Sequence, residues 1–135
     1  MATLCMKDSV KEWIKKAEGD NFSALREYRA RKNPNYDAAC FHAQQCIEKY
    51  LKAVLELHEI DIRKIHDLPV LLNDCLQKYP LWEAMRDDMR LLSQYAIQFR
   101  YPGQSASKER AKLATQTMKR NRMELRSVLG KSNCV

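Results

Sequence analysis

Along residues 35–58 (NYDAACFHAQQCIEKYLKAVLELH) apolar positions recur every three or four residues, the spacing of one helical face. At 100° per residue, Cys40, Ala43, Ile47, Leu51 and Val54 fall within about 80° of arc, and Tyr50 and Leu55 flank them. His42, Gln45, Lys49 and Lys52 gather within a similar arc on the opposite side. Gln44 and Glu48, four apart and so stacked on one face, mark the border. The pattern predicts a helix that is core on one side and a candidate polar binding strip on the other.

The same periodicity organises the rest of the chain. A first helix is expected from Asp8 or Ser9 to Arg31, with Val10, Ile14, Ala17, Ala24, Leu25 and Tyr28 on one face and Trp13 at its edge. Ser9 with Glu12 has the form of a capping box, Gly19-Asp20-Asn21 is a weak point where the helix is expected to bend, and Pro34 breaks the chain before the central helix. Residues 58–67 read as a polar link pinned by Ile60, Ile62 and Ile65. Asp67 reads as the N-cap of a third helix over 68–78, with Pro69 in its first turn and Leu68, Leu71, Leu72 and Cys75 facing inward. Trp82, Met85, Met89, Leu92, Ala96 and Phe99 predict a fourth helix over 81–99. Ala111, Ala114, Met118, Leu125 and Leu129 predict a fifth over 104–129, stopped by Gly130. No segment reads as a strand, so the expected fold is all-α: an up-and-down bundle of about five helices, core 8–129, with 130–135 a frayed tail.

At 135 residues the chain is expected to be one domain. No apolar run is long enough to cross a membrane, and the start lacks the charged-then-apolar build of a signal peptide, which points to the cytoplasm. The five cysteines form no CxxC pair. Cys40 and Cys46 point about 120° apart on their helix, so neither they nor the three histidines suggest a metal site. Charge changes the picture more. Residues 104–135 hold 8 Lys and Arg against 2 Asp and Glu, whereas residues 1–103 are nearly balanced at 16 against 15. The basicity belongs to the last helix, whose Lys108, Lys112, Lys119, Arg120, Arg122 and Arg126 suit either a solvated face or a surface for phosphate, RNA or an acidic partner. No aromatic residues interleave them, which speaks against sequence-specific single-strand binding.

Three fragments in order are similar to the HEPN (higher eukaryotes and prokaryotes nucleotide-binding) domain family. His42-Ala-Gln44-Gln45-Cys-Ile-Glu48-Lys49-Tyr-Leu51-Lys52-Ala53 resembles that family's H-x-x-Q-x-x-E-K-x-L-K-A helix. His66-Asp67-Leu68 resembles the H-x-L opening its next helix, and Tyr95 with Arg100-Tyr101-Pro102 resembles its Y…R-Y-P ending. The resemblance spans roughly residues 8–128. It implies a helical bundle that dimerises and works beside a small nucleotidyltransferase, often in toxin–antitoxin-type pairs. Other members are metal-independent ribonucleases with an R-x4-6-H motif. Here none of His42, His58 and His66 has an arginine five to seven residues upstream, so this chain departs from the ribonuclease pattern.

Candidate nucleotide contacts are His42, Gln45, Lys49, Lys52, His66 and Arg100: cations for phosphate, amide and imidazole for base or ribose edges. Gln44, Glu48 and Tyr95 are candidates for a polar layer or dimer seam. There is no glycine-rich phosphate loop, so an ATP-like ligand would be held by side chains. No nucleophile–base spacing marks a catalytic residue. Three readings remain: a homodimeric nucleotide-binding module with a nucleotidyltransferase partner; a ribonuclease with a non-standard site using Arg100 and His66; and a scaffold without ligand.

Overall fold

The computed structural model describes residues 6–130; the expected frayed tail beyond Gly130 lies outside the described residues, as do Cys5 and Cys134. Five α-helices form an all-α bundle: α1 (Asp8–Arg29), α2 (Tyr36–Leu57), α3 (Leu68–Leu76), α4 (Arg86–Gln98) and α5 (Lys108–Gly130), with a 3₁₀ turn (Pro80–Met85) leading into α4. Helix α2 packs against each of the other four. Ile47, Tyr50, Leu51 and Leu55 are fully buried on it, each such side chain contributing roughly 1.5–3 kcal/mol.

Cross-helix bonds set the chain directions. Ser9–Glu56, Glu18–Tyr50 and Asp20–His42 pair early with late residues, so α1 and α2 are antiparallel. Asp88–Arg120 and Trp82–Glu124 make α4 and its lead-in antiparallel to α5, and Arg86–Asn73 with Leu68–Ser93 does the same for α3 and α4. Between α2 and α3 the chain instead returns alongside α2 before α3 begins, bringing His66 back to Gln44. Residues 44 to 58 of a helix span roughly 21 Å, which an irregular ten-residue strap covers. Ile60, Ile62 and Ile65 tack that strap to the core, as their spacing suggested.

Local details depart from the sequence expectations. The capping box at Ser9 does not form: α1 begins at Asp8 with no side-chain cap, and the Ser9 hydroxyl donates to Glu56 Oε1 (2.8 Å). A partner on α2 replaces the local cap. Helix α1 also runs unbroken through Gly19-Asp20-Asn21, because Asp20 and Asn21 turn inward and are buried, and it ends at Arg29 rather than Arg31. The segment expected as one helix over 81–99 is divided, since Pro80 opens a tight turn held by stacking of Tyr79 on Trp82 (4.2 Å) and by Trp82 Nε1 donating to Glu124. Helix α2 closes with a Schellman pair, Ile60 N–H to Leu55 O (2.9 Å) and Glu59 N–H to Glu56 O (3.1 Å), which sets Glu59 left-handed at φ 56°.

Candidate functional site

Helix α1 divides the polar side of α2. Asp20 of α1 accepts from Lys49 Nζ (2.5 Å) and meets His42 Nδ1 (2.8 Å), so the Lys49 ammonium and one ring nitrogen of His42 are engaged on the α1–α2 seam. Lys52 is buried as well. Its ammonium lies 3.2 Å from Glu48 and 5.6 Å from the centre of the Trp13 ring. His66 has a more exposed ring than His42, and His58 Nε2 meets Tyr79 OH at 2.7 Å.

Gln45 of the strip joins residues from the segment just before α3, from α4 and from the turn after α4. Gln44, Gln45, His66, Asp67, Ser93, Ala96, Ile97 and Arg100 line a cleft of about 200 Å³. Ser93, Ala96 and Ile97 come from one face of α4, and Arg100 from the turn that directly follows it. Gln44 is spent on structure: Nε2 donates to His66 O (2.9 Å) and Glu48 Oε1 (3.3 Å), and its Oε1 accepts from Gln45 (3.0 Å). Tyr95 takes no part in this polar layer; its ring leans on Phe99 at 5.4 Å.

His66 is held at both ends. Gln44 fixes its carbonyl, and its Nδ1 lies 2.9 Å from Glu48 Oε1, whose carboxylate is 4% exposed whereas the imidazole is 75% exposed. A carboxylate facing an ammonium accepts only, so His66 donates to it through Nδ1, and Nε2 has no partner among the described residues. Arg100, exposed, has no ion-pair partner among the described residues. The start of α3 offers less to an anion than His66's position suggested: Leu68 N–H is taken by Ser93 Oγ (3.1 Å), Val70 N–H by Asp67 (3.3 Å), and Pro69 has none. Any phosphate in this cleft therefore rests on side chains.

The basic helix is also partly committed. Arg122 donates to both oxygens of Glu18 (2.7 and 2.5 Å), Arg126 lies 3.3 Å from the same carboxylate, and Arg120 reaches Asp88 at 3.1 Å. The Arg122 bond, then the Tyr50 bond and the charges of Arg122 and Arg126, hold the Glu18 carboxyl below its ordinary value against the effect of burial. Lys108, Lys112 and Lys119 are the candidates left facing solvent without an ion pair. Ser93 was missed by sequence reasoning, although its place seven residues before Arg100 marks it on the same face. Among the described residues no cluster of His, Cys, Asp and Glu could hold a metal ion, and no helix is long and apolar enough to cross a membrane.

The family model for the HEPN domain matches residues 10–126. Among solved structures, TT1696 from Thermus thermophilus superposes with a TM-score of 0.77 at 21% identity, over 90% of this chain and 98% of that one. An archaeal HEPN homologue gives 0.70 at 24% identity, over 87% and 95%. At these identities the likeness is one of fold. No curated protein matches the chain.

Proposed function

Because this chain belongs to the HEPN domain family, we propose that it is a nucleotide-binding helical module whose phosphate site is the cleft between α2, the start of α3 and the end of α4. The observation that carries this reading is the convergence of the unpaired Arg100 with His66, whose ring the Glu48 carboxylate orients, on one cleft edged by Gln45. The guanidinium supplies a planar fork for phosphate oxygens, and the Gln45 carbonyl oxygen stays available as an acceptor. Asp67 opposes an anion nearby, which keeps affinity modest. In line with the family resemblance, the module acts as a homodimer beside a small nucleotidyltransferase, in a toxin–antitoxin-type pair of the cytoplasm.

A thermal-shift panel with ATP, GTP, CTP, UTP and their monophosphates tests the site. Ligand at about 100 times its dissociation constant adds roughly 2.7 kcal/mol, a shift of several degrees. Arg100→Ala abolishes that shift. Lys49→Ala lowers the melting temperature but keeps the shift, since Lys49 serves Asp20. No shift with any nucleotide overturns the reading.

One observation favours a second reading. His66, whose Nε2 has no partner among the described residues, lines the same cleft as Arg100, and in its neutral form it is the equipment for taking a proton from a ribose 2′-hydroxyl while the guanidinium steadies the phosphodiester. This would be metal-independent RNA cleavage without the R-x4-6-H spacing. Incubation with RNA in EDTA, with His66→Ala as control, decides it; no cleavage at high protein concentration rules it out.

A further inference from the structure

Arg100 and Ala96 belong to two clefts, one on each side. Beyond the His66 cleft they also line a second, of about 360 Å³, with Asn35, Asp37, Ala38, Phe41 and Phe99. We propose that this second cleft holds the base of the nucleotide whose phosphate sits at Arg100, and that it selects bases carrying an exocyclic amino group. The inference rests on the phosphate reading of the first cleft and adds what the rest of the ligand meets.

Phe41 supplies the platform. It stands on α2, the helix most deeply embedded in the core, yet its side chain is left 36% exposed. It is not a loose ring, because it packs edge-to-face with His42 (5.3 Å, 75°) and His42 is fixed by Asp20. An anchored aromatic surface beside an unpaired guanidinium is the pairing that a base and its phosphate require.

Two polar groups in the wall give the cleft a preference. Asn35 Oδ1 is used in capping Ala38 N–H (2.9 Å), which leaves its amide nitrogen free to donate. Asp37 Oδ1 accepts from Ala106 N–H (2.6 Å), which fixes the carboxylate and leaves Oδ2 without a partner among the described residues. A held carboxylate accepts from the amino groups of adenine, cytosine or guanine, and guanine offers a second N–H beside the first. Uracil has no amino group to give. The two clefts, about 200 and 360 Å³, together fall within the size range of small-ligand sites, roughly 300–1,000 Å³.

Calorimetric titration with the four nucleoside monophosphates and ribose 5-phosphate tests this on wild type, Phe41→Ala, Phe41→Tyr, Asp37→Asn and Arg100→Ala. Wild type is expected to bind AMP, CMP or GMP roughly ten-fold tighter than ribose 5-phosphate, the gain of one stacked base. Phe41→Ala removes that gain and leaves ribose 5-phosphate affinity unchanged; Phe41→Tyr restores it. Asp37→Asn, which keeps the bond to Ala106, narrows the margin of amino-bearing bases over UMP. Arg100→Ala weakens every ligand. Equal binding of nucleotides and ribose 5-phosphate in wild type, or a Phe41→Ala variant that keeps the preference, overturns the base site while the phosphate site stands. Absence of binding by every phosphate compound overturns both.

Discussion

Glu48 and Lys52 form an ion pair whose side chains are only 4% and 8% exposed, at 3.2 Å. At an effective dielectric of about 20 their attraction is roughly 5 kcal/mol, and removing two ions from water costs several kcal/mol each, so the pair adds little net stability. Loss of one partner is another matter. In Glu48→Gln the Lys52 ammonium stays buried with only an amide and the Trp13 ring nearby, and Gln44 and His66 lose the carboxylate that organises them. The expected cost is about 3 kcal/mol, a large part of the ~5–15 kcal/mol that such a domain has in hand, and a drop of roughly 10 °C in melting temperature. Lys52→Met costs less, because Glu48 keeps two partners. The double variant is expected to cost at least about 2 kcal/mol less than the two singles added together. Urea unfolding followed by circular dichroism on all four proteins measures this. A Glu48→Gln cost under about 1 kcal/mol, or additivity within ~0.5 kcal/mol, refutes the reasoning.

Glu18, held below its ordinary value of 4.5 first by Arg122, stabilises the fold above that value and loses its contribution as pH falls through the depressed one. Glu18→Gln should therefore cost about 1.5–3 kcal/mol at pH 7 and converge on wild type in acid melts. Glu59→Gly should raise stability by about 1 kcal/mol in thermal melts, by relieving the left-handed residue in the Schellman pair. Burial pushes the thiols of Cys40 and Cys75 up to about 12 and that of Cys46 higher still. Mass-spectrometric mapping should find all three unlabelled by iodoacetamide in native protein and labelled in guanidinium.

The sequence reads well where periodicity is the governing physics. The buried faces of α2 and α5 and the Asp67 cap came directly from spacing, and the ordered fragments around Gln44, His66 and Arg100 pointed to the family. Periodicity says which side of a helix is polar, not what that side meets. Lys49 and His42 looked free because their partner, Asp20, sat in a stretch read as a helix weak point. The basic face misled in the same way, since charge counts do not reveal that Glu18 binds two of its arginines from more than a hundred residues away in sequence. Ser9 had a local cap on paper and a better partner on α2. Each miss is a long-range contact outcompeting a local rule.

The strap between α2 and α3 has a consequence for when the site exists. From Asp61 to Asp67 no backbone amide donates to a backbone carbonyl, so the segment carrying His66 is held by three isoleucines, the Arg63–Asp74 ion pair and the bonds of Gln44 and Glu48. Its amides should exchange with solvent far sooner than those of α2, through an opening that leaves the bundle folded. The first cleft is then a local equilibrium rather than a fixed cavity. A ligand bridging His66 and Arg100 would slow that exchange, and part of its binding energy would go into keeping the strap closed.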